Sequence, residues 1–307
     1  MKNSLGIIAP CYNEEKNIEI FYQKILTSIK DLNINYKFFF IDDGSTDATW
    51  DKIKNLKKSD KNISLIKFSR NFGQMSAIQA GILKCDCDYT IILDSDLQDP
   101  PELLKEMYNK ILSSDLNVVY AQRKTSKEKF FKKITSRAFY KIFNFLAETK
   151  IPDRTSNFKI FDRKVLGQLK RFKEQNPFYM GIIPWIGFKT DKILFDRPNR
   201  LDGSSGWTLK KMVNFSIDAI LSFSSYPMRI SFYLSILMSF LFIILSIYAL
   251  YSYFLKSAVP GWTSIVLIIS FFNIIIFFIL GLISEYVGRI FQASNNRPNY
   301  IVEEEID

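Results

Sequence analysis

Within the first 122 residues, short apolar runs alternate with helical stretches, and that alternation leaves few folds open. The runs are Leu5–Ala9, Lys37–Ile41, Ile63–Phe68, Tyr89–Leu93 and Asn117–Tyr120. Between them lie helical stretches near Asn17–Leu32, Thr46–Ser59, Ser76–Leu83 and Glu102–Ser113. Strand then helix at this spacing means βαβ units and a parallel sheet. In such a sheet, ligands bind beyond the carboxyl ends of the strands. The polar motifs fall in those places: Pro10–Glu15 after the first run, Asp42–Asp47 after the second, Ser69–Gly73 after the third and Asp94–Asp99 after the fourth.

Two later segments, Ile230–Leu255 and Trp262–Ser284, contain no charged residue. As helices they would measure roughly 39 and 35 Å, against about 30 Å for a hydrocarbon core. They predict a transmembrane hairpin with spans at 230–255 and 262–284; a pair of buried core helices is the other reading. Lys210, Lys211 and Arg229 precede the first run, Arg289 and Arg297 follow the second, and only Lys256 lies between. The positive-inside rule then puts both termini and the N-terminal domain in the cytoplasm of a multi-pass inner-membrane protein. Leu5–Pro10 is too short for a signal peptide and reads as a first strand. The expected organisation is an N-terminal α/β domain over 1–207, a juxtamembrane interfacial helix over 208–228, the hairpin over 229–286 and a cytoplasmic tail over 287–307. Residues 123–146 carry eight positive charges against one negative, with Phe131, Ile134, Ala138, Ile142 and Leu146 at helical spacing. That predicts a basic amphipathic helix facing anionic membrane lipids, or else a helix packed on the sheet. The acidic end, Glu303, Glu304, Glu305 and Asp307, reads as a solvated tail.

Composition narrows the chemistry. A chain of 307 residues suggests about two units. With 48% apolar and 23% charged residues it is not a disordered chain. The net charge of +10 gathers beside the uncharged runs, where anionic lipids explain it better than nucleic acid. Cys11, Cys85 and Cys87 are an odd number and read as free thiols. There is no histidine. Ser-His-Asp and Cys-His systems, His general bases and HExxH zinc sites are therefore excluded. Catalysis is left to carboxylates, lysine, tyrosine, hydroxyls, a bound metal or the substrate itself.

The strongest chemical element is Asp94-Ser95-Asp96-Leu97-Gln98-Asp99-Pro100-Pro101. Two carboxylates one residue apart, on a turn leaving a buried strand, suit one hard divalent cation, Mg²⁺ or Mn²⁺, shared with substrate phosphates. An acidic turn before Pro100 is the plainer reading of that segment alone. Asp42-Asp43-Gly44-Ser45-Thr46-Asp47 likewise serves as a turn and helix cap, or leaves one Asp for a ribose hydroxyl or base edge. In Pro10-Cys11-Tyr12-Asn13-Glu14-Glu15, Tyr12 offers an aromatic face to a base and Glu14 an acceptor.

Taken in order, APCYNEE, DDGSTD, SRNFGQMSAIQAG and DSDLQDPPE resemble the family-two glycosyltransferases of GT-A fold, a Rossmann-like, mostly parallel α/β catalytic domain. More narrowly, SSYPMRI and SEYVGRIFQASNNRPNYIV resemble the polyprenyl-phosphate glycosyltransferases, including bactoprenol glucosyltransferases and dolichol-phosphate mannose synthase relatives. The likeness covers essentially the whole chain. It implies inverting transfer of a hexose from a nucleotide sugar, with UDP-glucose the default, to undecaprenyl or another polyprenyl phosphate for cell-envelope glycans. It also implies that Pro10, Tyr12, Glu14, Asp43, Asp94 and Gln98 hold the donor, and that Asp94 and Asp96 hold Mg²⁺ or Mn²⁺. Arg123, Lys159 and Arg200 would meet the acceptor phosphate, with Asp96, Arg123 and Asn157 at the catalytic centre. A dimer or tetramer through the spans is implied by resemblance alone.

Two positions depart from the pattern. Relatives usually carry Gly-Asp-Phe-Arg where this chain has Ser156-Asn157-Phe158-Lys159, so the Asp often proposed as base is Asn157. Relatives also tend to have Lys after Gly-x-Ser, where Gly203-Ser204-Ser205 is followed by Gly206. An acceptor that is a phosphate monoester, with its second pKa near ~6, needs no proton removed at neutral pH. The rival readings are a catalytically silent member of the fold, prompted by Asn157, and a processive polysaccharide synthase, whose Gln-x-x-Arg-Trp segment and extra spans are missing here.

Overall fold

The computed structural model describes residues 2–124, 155–172, 174, 177–196, 237, 240, 244, 261–294 and 297–307. They divide into two compact units, one of Met1–Phe145, Thr149–Ala219 and Pro298–Asp307, the other of Leu146–Glu148 and Ile220–Arg297.

The first unit is built on a mixed sheet. Its strands are β1 (Ser4–Cys11), β2 (Asn35–Asp42), β3 (Ile63–Phe68), β4 (Tyr89–Ile92), β5 (Val118–Arg123), β6 (Thr155–Asp162), β7 (Thr190–Phe195) and β8 (Val302–Ile306). Helices α1 (Ile18–Ile29), α2 (Thr49–Ser59), α3 (Gln74–Lys84) and α4 (Leu103–Ser113) alternate with the first five strands; α5 (Arg163–Leu169) and α6 (Tyr179–Trp185) follow β6. The strand order is β7-β5-β6-β4-β1-β2-β3-β8. β1 pairs in parallel with β2 and β4, β2 with β3, and β5 with β7. The expected α/β sheet is therefore present. β6 was not anticipated; it runs antiparallel between β4 and β5.

Burial explains the elements. β1 is buried from Leu5 to Cys11, as expected of a parallel strand covered on both faces. α1 turns Ile18, Phe21, Tyr22, Ile25 and Ile29 inward at helical spacing. They meet an aromatic ladder on β2, where Phe38 and Phe40 stack at 5.5 Å. Across the sheet, Gly81 of α3 sits so close to Ile8 of β1 and Ile41 of β2 that a Cβ there would collide.

In an open α/β sheet the ligand crevice lies where the strand order reverses. From β1 the chain passes outward to β2 and β3 on one side, then returns to β4 on the other. The carboxyl ends of β1 and β4 flank that reversal, where open α/β sheets bind ligands.

Two expectations are corrected. The acidic end is no solvated tail: Val302–Ile306 pairs antiparallel with β3 and closes that edge of the sheet. Its charged side chains do face outward, as edge strands require. The multi-pass inner-membrane placement is also corrected. A span needs about twenty consecutive apolar residues in one helix, and among the described residues no helix is long and apolar enough to cross a membrane. In the second unit, the latter apolar run belongs to helix α7 (Trp262–Ser294). The former lies outside the described residues except for Leu237, Phe240 and Ile244. The expected interfacial helix over 208–228 lies outside them altogether. Arg123 ends strand β5, so the basic stretch begins on a strand, and residues 125–146 lie outside the described residues.

Candidate active site

The loops leaving β1 and β2 are laced together by side chains reaching backbone amides. The Asn13 amide donates to Ser45 Oγ at 2.9 Å, and the Thr46 amide donates back to Asn13 Oδ1 at 2.9 Å. The Glu14 amide donates to Thr49 Oγ1 at 2.8 Å, and the Glu15 amide to Asp47 Oδ2 at 3.2 Å. Asn13 is held at φ 56°, a left-handed conformation that Asn tolerates better than most residues. Tyr12, in the same loop, is 44% exposed.

The two adjacent aspartates after β2 have different tasks. Asp43 accepts from the Phe72 amide at 2.7 Å and from the Gly73 amide at 2.9 Å, so it holds the loop between β3 and α3. Asp42 Oδ1 accepts from the Ser45 amide and hydroxyl, whereas its buried Oδ2 has no hydrogen-bond partner. Burial pushes both carboxyls above the ordinary range. Gly44 makes this arrangement possible. It has φ 70°, and a Cβ there would strike the backbone of Arg70 and Asn71.

Across the crevice, Ser95 Oγ donates to the Pro10 carbonyl at 3.0 Å and ties the β4 loop to the end of β1. Leu97 sits at φ 59°, the second non-glycine residue with positive φ in the described chain. Such strain in a γ-branched residue persists only where the surroundings impose it. It throws Asp94, Asp96 and Asp99 into one short turn. Gln98 closes over Asp96, with its amide 3.1 Å from Oδ1 and its Nε2 2.7 Å from Oδ2. Gln74 Nε2, at the start of α3, donates to Asp94 Oδ1 at 2.7 Å. Burial, then Asp99 and Asp96, raise the Asp94 carboxyl to about 7 despite that bond.

Cations come from the far side of β4. Arg123, at the end of β5, reaches Asp99 Oδ1 with Nη2 at 3.4 Å, while its buried Nε has no partner. The register pairs Ile92, the last residue of β4, with Lys159 of β6, and Asn157 precedes Lys159 by two residues on the same strand. Lys159 is only 1% exposed and lies 5.9 Å from the Tyr120 ring. Burial lowers its ammonium to about 8, with Asp94 pulling the other way. The Asn157 Oδ1 and Tyr120 hydroxyl are buried without a hydrogen-bond partner. Buried polar atoms are nearly always paired, so this concentration of unpaired ones marks a surface shaped for something polar.

The structure places Pro10, Tyr12 and Glu14 at the end of β1 and in the loop after it, Asp94, Asp96 and Gln98 in the turn after β4, Arg123 at the end of β5, and Asn157 and Lys159 on β6. Asp43 braces the β3–α3 loop. Arg200 lies outside the described residues. Sequence reasoning missed Gln74 and Asp99, whose partners are distant in the chain or hidden in an acidic turn. The fit to a divalent cation rests on chemistry. Among the described residues no group of three or more His, Cys, Asp or Glu side chains has metal-site geometry. The protein side is therefore the pair Asp94 and Asp96, with further ligands left to substrate oxygens and water, as Mg²⁺ usually has it. Burial, and after it the repulsion of Asp99 and Asp96, raises Asp94, and such a cation would offset both.

The family described as Glycosyl transferase family 2 matches residues 6–170. The chain is 39% identical, over 97% of its length and 93% of the relative's, to a Bacillus subtilis protein named uncharacterized glycosyltransferase YkcC. It is 32% identical to the prophage bactoprenol glucosyl transferase homolog of Escherichia coli, covering 97% of this chain and 98% of that one. A solved structure of glucosyl-3-phosphoglycerate synthase from Mycobacterium tuberculosis, with Mn²⁺, UDP-glucose and phosphoglyceric acid, is similar at TM-score 0.47 and 15% identity. That likeness covers 72% of this chain and 79% of the other.

Proposed function

The chain belongs to glycosyl transferase family 2, and on that premise we propose that it transfers glucose from UDP-glucose to a polyprenyl phosphate, with inversion at the anomeric carbon. Relatives with bactoprenol glucosyl transferase in their names, matched over nearly their whole length, support the acceptor class. The observation that carries the reading is the carboxylate turn Asp94–Asp99 facing the cations Arg123 and Lys159 across the end of β4.

In this reading the base stacks on Tyr12, with Pro10 and Glu14 around the nucleoside and Asp43 bracing the loop behind it. Asp94 and Asp96 would hold Mg²⁺ or Mn²⁺, which supplies positive charge to the departing diphosphate. Gln98 fixes the Asp96 carboxylate, and Gln74 fixes that of Asp94. Arg123, with a buried Nε lacking a partner, docks the acceptor phosphate together with Lys159 and, by resemblance, Arg200. An oxygen of that phosphate attacks the anomeric carbon as the bond to the diphosphate breaks from the opposite face. The acceptor is largely a dianion above pH ~6 and needs no base. Asn157 can therefore stand where relatives carry Asp, donating a hydrogen bond through its amide.

The test is a panel of nucleotide sugars offered with undecaprenyl phosphate and read by lipid mass spectrometry. The expected product is a polyprenyl-phosphate hexose formed from UDP-glucose. Label appearing only in free sugar, or on no lipid with any donor, would overturn the acceptor assignment.

A further inference from the structure

The last ten residues do more than close a sheet edge. They are bonded to the start of the β3–α3 loop and to helix α3 beyond it. The Ser69 amide donates to the Ile301 carbonyl at 3.0 Å, at the start of the loop. The Tyr300 ring stacks on Phe68 at 4.7 Å, and Phe68 in turn meets Phe72 edge-on at 5.9 Å. Beyond the loop, Asn299 Nδ2 donates to Gln79 Oε1 of α3 at 2.6 Å and to the Glu174 carbonyl at 2.8 Å. The rest of the strand is fastened at its rim. Trp50 Nε1 donates to Glu304 at 3.1 Å, Ser64 Oγ to Asp307 at 2.6 Å, and Lys67 pairs with Glu303 at 2.9 Å.

The same loop faces the crevice. Its Phe72 and Gly73 amides are held by Asp43, and Gln74, the next residue, donates to Asp94. The loop is thus gripped between Asp43 on one side and the C-terminal segment on the other. Gln74 leaves that grip already aimed at the carboxylate.

We propose that Asn299, Tyr300 and Ile301 form a clasp that positions the β3–α3 loop, and through Gln74 the Asp94 carboxylate, for binding the nucleotide diphosphate. These are positioning residues, since none of them lies in the crevice. The assignment rests on the donor-site reading above. Its consequence is selective: loss of the clasp loosens donor binding and leaves acceptor binding alone, because Arg123 and Lys159 stand on β5 and β6, away from the clasp.

The experiment uses the full chain. Binding of UDP with Mn²⁺ is measured by titration calorimetry, and the KM values for donor and acceptor are measured separately. Asn299→Ala combined with Tyr300→Ala should weaken UDP–Mn²⁺ binding and raise the donor KM about tenfold, with the acceptor KM unchanged. Glu303→Ala removes only an exposed ion pair on the same strand and should change neither. If the double variant binds UDP–Mn²⁺ as the wild type does, the clasp is refuted. A parallel rise in both KM values refutes it too, since that is general loosening. Asp94→Asn, run alongside, separates the two readings: unchanged UDP–Mn²⁺ binding in that variant overturns the donor site itself, whatever the tail variants do.

Discussion

Asp94→Asn should make the protein more stable and inactive at once. Burial, reinforced by Asp99 and Asp96, holds the Asp94 carboxyl at about 7 against an ordinary 3.8. A carboxyl whose folded value stands above its unfolded one keeps its proton more readily in the folded protein. Stability is then greatest at low pH, falls as pH climbs from about 4 to about 7, and stays lowered above that. The displacement sets a ceiling of roughly 4 kcal/mol. Asp94 keeps part of its surface open to solvent, and screening brings the expected relief to about 1–3 kcal/mol. Asn removes the charge, keeps the shape and still accepts from Gln74. Thermal melting in EDTA at pH 8 should therefore show the variant more stable by about 2–10 °C, a gap that narrows as pH is lowered toward 4. Adding Mn²⁺ and UDP should raise the melting temperature of the wild type and not of the variant. A variant that melts below the wild type at pH 8, with no change in the gap at lower pH, would refute the idea that Asp94 is held in electrostatic tension.

Three further outcomes follow from named contacts. Arg123→Ala should cost about 1.5–3 kcal/mol of transition-state binding, roughly a 10- to 150-fold loss of kcat/KM for the acceptor, checked by steady-state kinetics. Asn157→Asp should change the rate only modestly, and the wild-type rate should fall below pH ~6 as the acceptor dianion is protonated; a thousandfold gain in the variant would instead mark the native chain as silent. Gly44→Ala forces a side chain into a left-handed turn against the Arg70 backbone, and urea unfolding should show a loss of more than about 1 kcal/mol.

The first five strands and four helices were legible because each buries a continuous apolar run or a helical stripe, and polar residues end those runs at the carboxyl edge of the sheet. The rest was hidden for specific reasons. β6 carries Lys159 at a position that reads as exposed; its burial comes from β4 and β5 on either side, a tertiary fact. The acidic end reads as solvated because its side chains are solvated; what holds it is backbone pairing with β3, to which composition is blind. Gln74 precedes the stretch Ser76–Leu83 that reads as helix, and only the fold brings it to Asp94, twenty residues on. Asp43 reads in the sequence as a ligand for the nucleoside; what its carboxylate does in the fold is accept from the Phe72 and Gly73 amides and brace a loop. The apolar runs read as spans in the sequence, whereas among the described residues no helix is long and apolar enough to cross a membrane.

The central claim is that the Asp94–Asp96 crevice moves sugar onto a lipid phosphate. Its most direct test is transfer of radiolabel from UDP-glucose to undecaprenyl phosphate, extracted into butanol, for the wild type and for Asp96→Ala. Label in the lipid phase with the wild type in Mg²⁺ or Mn²⁺, and none with EDTA or with a folded Asp96→Ala variant, is the predicted result. Equal labelling by both proteins, undiminished in EDTA, would contradict it.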